Sequence, residues 1–199
     1  MIYYYCKYVL QGVDMRNTKD VRVIRTQTAL LEALEVLIQK KKLSAITITD
    51  LCNQAKINRN TFYYHYNNIY EFLDEHKKLV IADIHRIADS SKKHDKSCLL
   101  ELCNSIKYHP HFLNILISPN CDIDYFNDIF QAATKVTCIF EADIEKVVSP
   151  RIKYLYCYSN AGANEVLYTW LRSGMQEPPD LIADIIWDAA NNGPLSLIK

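Results

Sequence analysis

The chain has 199 residues, 49% of them hydrophobic, which suits one compact domain or two small ones sharing a core. Its 4 Gly and 6 Pro fall well below the roughly 12% average for the pair, which excludes collagen-like and linker-rich classes and disfavours turn-rich all-β folds. Gly12, Gly162, Gly174 and Gly193 stand too far apart for a GxGxxG, Walker A or GxSxG segment, and 23 Lys/Arg against 23 Asp/Glu leave net charge silent about partners.

Residues 1–14 are crowded with tyrosine and lack a helical period, and Met15 opens a polar stretch. Two readings stand for the extension over 1–15: a true start at Met15, with the preceding residues outside the fold, or an ordered arm on the body. The first ten residues lack a signal peptide's cationic start and cleavage site, and no run approaches the roughly 18 apolar residues of a membrane helix. A cytoplasmic protein with no membrane partner is expected. From Val23 the apolar positions Val23, Leu30, Leu34, Leu37 and Ile38 fall largely on one helical face. The run ends in Lys40-Lys41-Lys42, cations suited to a helix C-terminus.

Thr47-x-x-Asp50 has the form of a capping box, and Ile48, Leu51, Cys52 and Ala55 follow at helical spacing, so a short helix is predicted over 48–55. Lys56-Ile57-Asn58 breaks it. Asn58 is a good N-cap, and Phe62, Tyr66 and Ile69 define the inward side of a third helix or its continuation. Asn68-x-x-Glu71 caps a fourth helix through Phe72, Leu73, Leu79 and Val80.

Beyond that, nearly every segment reads as helix, with breaks at 90–96, 109–111, 118–120 and 149–150. Two late helices, over 151–173 and 180–191, carry long apolar stripes, and Gly193-Pro194 stops the second. Such a pair either completes the core or doubles across a two-fold axis. Neither an internal repeat nor βαβ alternation is present, so the fold class is all-α.

Seven cysteines without a CxxC are expected to be free thiols, mostly small buried hydrophobes, with a redox sensor at Cys52 as the lesser reading. His65 has no ligand partner at i±4, and His109 and His111 flank Pro110 in an expected exposed loop, so no metal is expected. Glu141, Asp143 and Glu145 read as a solvated acidic helix face. No nucleophile–base–orienter set stands out, so no enzyme activity, catalytic residue or cofactor is expected. Trp170, Met175 and aromatics such as Tyr108, Phe112 and Phe130 could line an effector pocket, although core or dimer interface is the simpler reading.

Charge is uneven along the chain. Residues 16–66 hold nine Lys/Arg against four Asp/Glu, a net of +5, and residues 67–199 hold 13 against 18, a net of −5. The basic end coincides with two short helices joined by a three-residue turn, the pattern of a DNA-reading helix-turn-helix. With Ile57, Phe62 and Tyr66 inward, Arg59, Asn60, Tyr63 and Tyr64 fall on the outward arc. Arg pairs with guanine and Asn with adenine. Thr47, Thr49, Thr61, Tyr63 and His65 are placed for phosphate contacts, and Asn58, as the cap, helps aim the amides at the helix start.

The run TITDLCNQAKINRNTFYYHYNNIYEFL resembles the helix-turn-helix signature of the TetR/AcrR transcriptional regulators. The matching positions are Thr47, Asp50, Leu51, Ala55, Ile57, Asn58, Thr61, Phe62, Tyr63, His65, Tyr66 and Leu73, and the likeness spans about residues 23–75. Two positions depart from the pattern. Lys56 stands where the family usually has Gly, which puts a non-Gly residue in a left-handed turn at some cost. Ile69 stands where a phosphate-touching Lys is common.

The resemblance implies an N-terminal three-helix DNA-binding domain over 16–75, then a helical regulatory and dimerisation domain over 76–199. It further implies a homodimeric regulator, here read as a repressor, on a pseudo-palindromic double-stranded DNA operator and released by a small-molecule effector. A regulator, activator included, controlled by a docked protein partner is the alternative.

Overall fold

The computed structural model describes residues 18–90, 95–137 and 149–193, and all regular structure among them is helical. The extension at 1–14, the acidic trio Glu141, Asp143 and Glu145, and Pro194 lie outside the described residues, as do Cys6, Cys138 and Phe140. In chain order the helices are α1 Thr18–Ile38, α2 Ile48–Ala55, α3 Arg59–His65, α4 Ile69–Ser90 and α5 Lys96–Tyr108. They continue with α6 Pro110–Ile117, α7 Phe126–Thr137, α8 Pro150–Arg172 and α9 Pro179–Asn192. A single 3-10 turn, Leu43–Ala45, lies between α1 and α2.

The described residues pack as two compact units. One comprises the chain up to Val80 together with Tyr108–Phe126, and the other comprises Ile81–Lys107 and the chain from Asn127 onward. In the first, α1 packs on α2 and α6, and α2 packs on α3. Its core is formed by Leu30, Leu34, Ile38, Leu43, Leu51, Phe62, Phe72, Leu73 and Phe112, all fully buried. Burying each such side chain contributes about 1.5–3 kcal/mol, which pins three short helices that would not persist alone in water.

Helix α1 begins five residues before Val23, because its first turn is polar and carries no apolar period to signal it. It ends at Ile38, so the lysine triplet lies beyond it, with the amides of Lys40 and Lys41 closing onto the Leu37 carbonyl at 3.0 and 3.2 Å. The buried stripe of α4 includes His76 and Asp83 beside its aliphatic and aromatic residues.

The expected loop at 109–111 is instead the start of α6. Pro110 takes its first turn, where the missing N–H costs nothing, His109 precedes it buried, and His111 is half-buried on the helix.

In the second unit α8 and α9 are packed neighbours, with Tyr156 against Ala190. The turn between them closes by Gly174 at φ +80°, while the Met175 amide reaches the Trp170 carbonyl at 2.9 Å and the Gly174 amide reaches that of Leu171 at 3.1 Å. Trp170, buried as the apolar stripe predicts, donates its indole N–H to the Glu177 carbonyl at 3.0 Å. A polar set joins α4 to α5: Arg86 contacts Asp83 at 2.8 Å and Glu101 at 3.0 Å, and the Ser105 hydroxyl meets the other Asp83 oxygen. Cys52, Cys98, Cys103, Cys121 and Cys157 are free thiols; the first three are buried as expected, whereas Cys121 is half-buried and Cys157 exposed on α8.

Candidate nucleic-acid interface

The sequence dictates α2, its turn and α3 largely by local chemistry. The Thr47 hydroxyl accepts the Asp50 amide at 3.1 Å while an Asp50 carboxylate oxygen accepts the Thr47 amide at 3.0 Å, the reciprocal capping box that the spacing predicts. The same oxygen takes Lys41 Nζ at 2.7 Å and the Thr47 hydroxyl at 2.7 Å. Lys41 and the two Thr47 donors hold the Asp50 carboxyl well below the usual carboxylate range.

At the far end of α2, Lys56 adopts φ 57° and ψ 39°, the left-handed conformation expected of that position. Its amide bonds to the Asn53 carbonyl at 3.3 Å and the Ile57 amide to that of Cys52 at 3.0 Å, which together form a Schellman cap. Asn58 then caps α3, its side-chain oxygen accepting the Asn60 amide at 2.8 Å.

Phe62 anchors α3. It is fully buried, with ring centroids 5.6 Å from Tyr66 and 6.4 Å from Phe72. Tyr66, also buried, accepts a hydrogen bond from Gln27 of α1 at 2.8 Å, and burial pushes its phenol up to about 12. On the opposite side Arg59, Asn60, Tyr63, Tyr64 and His65 are exposed, Tyr63 by 56% and Tyr64 by 76%. Large aromatics so open to water on a helix of seven residues form a surface suited to contact.

Arg59 reaches back to the Thr49 hydroxyl at 3.4 Å, so exposed residues of α2 and α3 share one face. Tyr64 and His65 meet edge to face at 4.8 Å. Thr61 is half-buried beside the arc. Thr47 is exposed at the α2 N-terminus, yet its hydroxyl is engaged as donor and acceptor within the cap. Lys40, Lys42 and Lys56 add exposed cations to the same unit.

Sequence reasoning missed the Gln27–Tyr66 and Arg59–Thr49 links, because each joins residues of different elements and no local spacing signals them. Cys52, the thiol singled out within α2, is buried, and its burial raises its pKa, which opposes the thiolate that an oxidant would attack.

Following the interface, Asn68 caps α4 by accepting the Glu71 amide at 2.8 Å, and the Glu71 carboxylate takes the amide and the side-chain nitrogen of Asn67, both at 2.8 Å. Those donors lower its pKa. Ile69 is buried at the first position of α4. No helix among the described residues is long and apolar enough to cross a membrane.

Comparison with known proteins agrees with this architecture. The TetR-type family model described as a transcriptional regulator C-terminal region matches residues 93–192. An uncharacterized HTH-type transcriptional regulator, YxbF of Bacillus subtilis (strain 168), is 38% identical over 105 residues, which is 48% of this chain; the chain spans 28% of that relative's length. Among solved structures, NalD, the secondary repressor of the MexAB-OprM multidrug efflux pump in Pseudomonas aeruginosa, superposes with a TM-score of 0.60. It is 19% identical, over 88% of this chain and 98% of its own. The dihydroxyacetone kinase operon activator DhaS gives a TM-score of 0.57 at 21% identity, over 87% of this chain and 96% of its own. The family model spans half of the chain, and the helical fold is shared with these solved structures: the chain belongs to the TetR family of transcriptional regulators.

Proposed function

We propose that this regulator is a homodimeric repressor that sets residues 59–64 of each subunit into successive major grooves of a pseudo-palindromic operator. Arg59 and Asn60 read base edges, and Tyr63 and Tyr64 pack on thymine methyls and the backbone. Thr49, Thr61 and His65 meet phosphates, and Thr47 and Asn58 act through the helix-start amides that they aim. Residues 16–75 serve as the DNA-binding domain and residues 76–199 as the regulatory and dimerisation domain. An effector bound to the latter favours a conformation whose half-site separation no longer fits, and DNA is released.

The observation that carries this reading is the two-sidedness of α3: Phe62 is sunk completely into the core while Arg59, Asn60, Tyr63 and Tyr64 stand exposed. For the two-fold, support comes from Tyr154 and Tyr158 on α8 and Leu181 and Ile185 on α9, exposed large apolar side chains each spaced by four on its helix. The test is fluorescence anisotropy on DNA from the chain's own upstream region, with a salt titration and the variants Arg59→Ala and Tyr63→Ala. Salt-sensitive, sequence-selective binding is expected, and loss of the Arg59 contact should weaken it by about 5- to 150-fold. Binding that neither variant changes refutes the assignment of α3 as the reading helix.

A further inference from the structure

Residues 108–126 follow the chain's first passage through the second unit, yet they pack with the first. Their polar side chains converge on α1 and on the connection leading into α2. On α6, His111 Nδ1 lies 2.6 Å from one Glu35 oxygen, and Asn114 donates to the other at 2.8 Å, so one face of α6 occupies both oxygens of an α1 carboxylate. Glu32 flanks the arrangement, 3.6 Å from His111 Nε2.

Beyond α6, Asn120 donates from its side chain to the carbonyl of Ile38 at 2.8 Å, and its own carbonyl accepts the Leu43 amide at 2.9 Å. Ile38 ends α1, where carbonyls have no partner within the helix, and Leu43 is 1% exposed, where an unpaired amide would be costly. Asn120 thus satisfies both ends of the four-residue link from α1 to the 3-10 turn Leu43–Ala45, which precedes α2. The same segment touches α4 through the Tyr70 hydroxyl on Asp122 at 3.4 Å and Lys77 over the Tyr125 ring at 4.3 Å.

We propose that Tyr108–Phe126 is a brace that sets the posture of the reading helices, with Glu35, His111, Asn114 and Asn120 as its positioning residues. The inference rests on the DNA-binding reading above. Both ends of the brace continue into the second unit, at Lys107 and at Asn127. None of the four residues lies among those placed on the DNA-facing arc.

The experiment compares the full chain with the double variant His111→Ala/Asn114→Ala and with Asn120→Ala, by amide hydrogen exchange without DNA and by anisotropy on a duplex selected with the wild type. Both variants should speed exchange across residues 43–65 about tenfold and weaken DNA binding about five- to tenfold. The slope of log affinity against log salt should stay unchanged, since no phosphate contact is removed. Faster exchange confined to 108–120 with affinity within twofold overturns the proposal, as does a uniform loss of protection in both units, the mark of a merely structural role. A wild type that binds no duplex, with exchange still spreading to 43–65 in the variants, would leave the brace standing and refute the DNA reading instead.

Discussion

Replacing Lys56 by glycine isolates the strain at the turn between α2 and α3. At φ 57° and ψ 39° the lysine backbone sits in the left-handed region, which costs an L-residue about 1–2 kcal/mol and glycine almost nothing. The two hydrogen bonds of the Schellman cap use only backbone atoms, at 3.3 and 3.0 Å, so glycine keeps both. The side chain is exposed, so its loss removes little buried area. Against the gain stands the extra freedom of glycine in the unfolded chain, about 0.4–1 kcal/mol. The difference favours Lys56→Gly by about 0.5–1 kcal/mol, whereas Lys56→Ala retains the Cβ and should stay within about 0.5 kcal/mol of the wild type. Urea unfolding followed by circular dichroism, without DNA, reads this as a midpoint raised by about 0.2–0.5 M at unchanged slope for glycine alone. A glycine variant no more stable than the alanine variant would refute the assignment of strain to this turn.

Asn58→Ala removes the acceptor of the Asn60 amide and should destabilise the chain by about 1 kcal/mol, with faster exchange of the α3 amides as the local check. His76 gives a pH signature: it is 2% exposed, its Nδ1 lies 2.8 Å from the Phe72 carbonyl, and burial holds its pKa below the ordinary histidine value. The unfolded chain takes up that proton near pH 6.5 and the folded chain resists it, so stability is full above about pH 6.5 and falls as the pH drops below it. His76→Leu should therefore flatten the dependence of the urea midpoint between pH 7 and 5; an unchanged slope would show that His76 is not its source. Ile185→Glu places a charge on the exposed apolar face of α9; if the proposed dimer forms there, sedimentation should show the mass falling from two copies to one, whereas a wild type of single-copy mass refutes the two-fold and an unchanged two-copy mass refutes this face as its seam.

Local chemistry makes the α2–turn–α3 motif legible from the sequence alone. The Thr47–Asp50 box, the Asn58 cap and the left-handed Lys56 each depend on residues within three or four positions of one another, and each appears in the structure as the spacing requires. The outward arc of α3 follows from the same reasoning, since a helix with Phe62 buried must turn Asn60, Tyr63 and Tyr64 away; Tyr66, expected on the same helix, is instead its extended C-cap and is buried from there.

What escaped is tertiary or polar. His109 and His111 read as loop because Pro110 reads as a breaker; in the first turn of a helix it is a starter, and the apolar run Phe112, Leu113, Ile115 and Leu116 was the available signal. Asp83 and His76 occupy the buried stripe of α4 because Ser105, Arg86 and the Phe72 carbonyl receive them, and no count of apolar residues foresees that. The occupation of the Thr47 hydroxyl by Asp50 was implicit in the capping box itself, which left that hydroxyl less open to phosphate than its position alone suggested.

Ile69 carries a consequence at the scale of the genome. It is 5% exposed at the start of α4, in the place where the family resemblance favours a lysine on phosphate. In the proposed dimeric mode of binding, forgoing that contact twice lowers the salt exponent by about two and gives up attraction that random sequence and operator share alike. Base-edge contacts are untouched, so the ratio of operator to random affinity is preserved while the pool of copies parked on the roughly 10⁶–10⁹ competing sites shrinks. Such a regulator searches with more of its copies free, and its occupancy is less swayed by shifts in cellular salt.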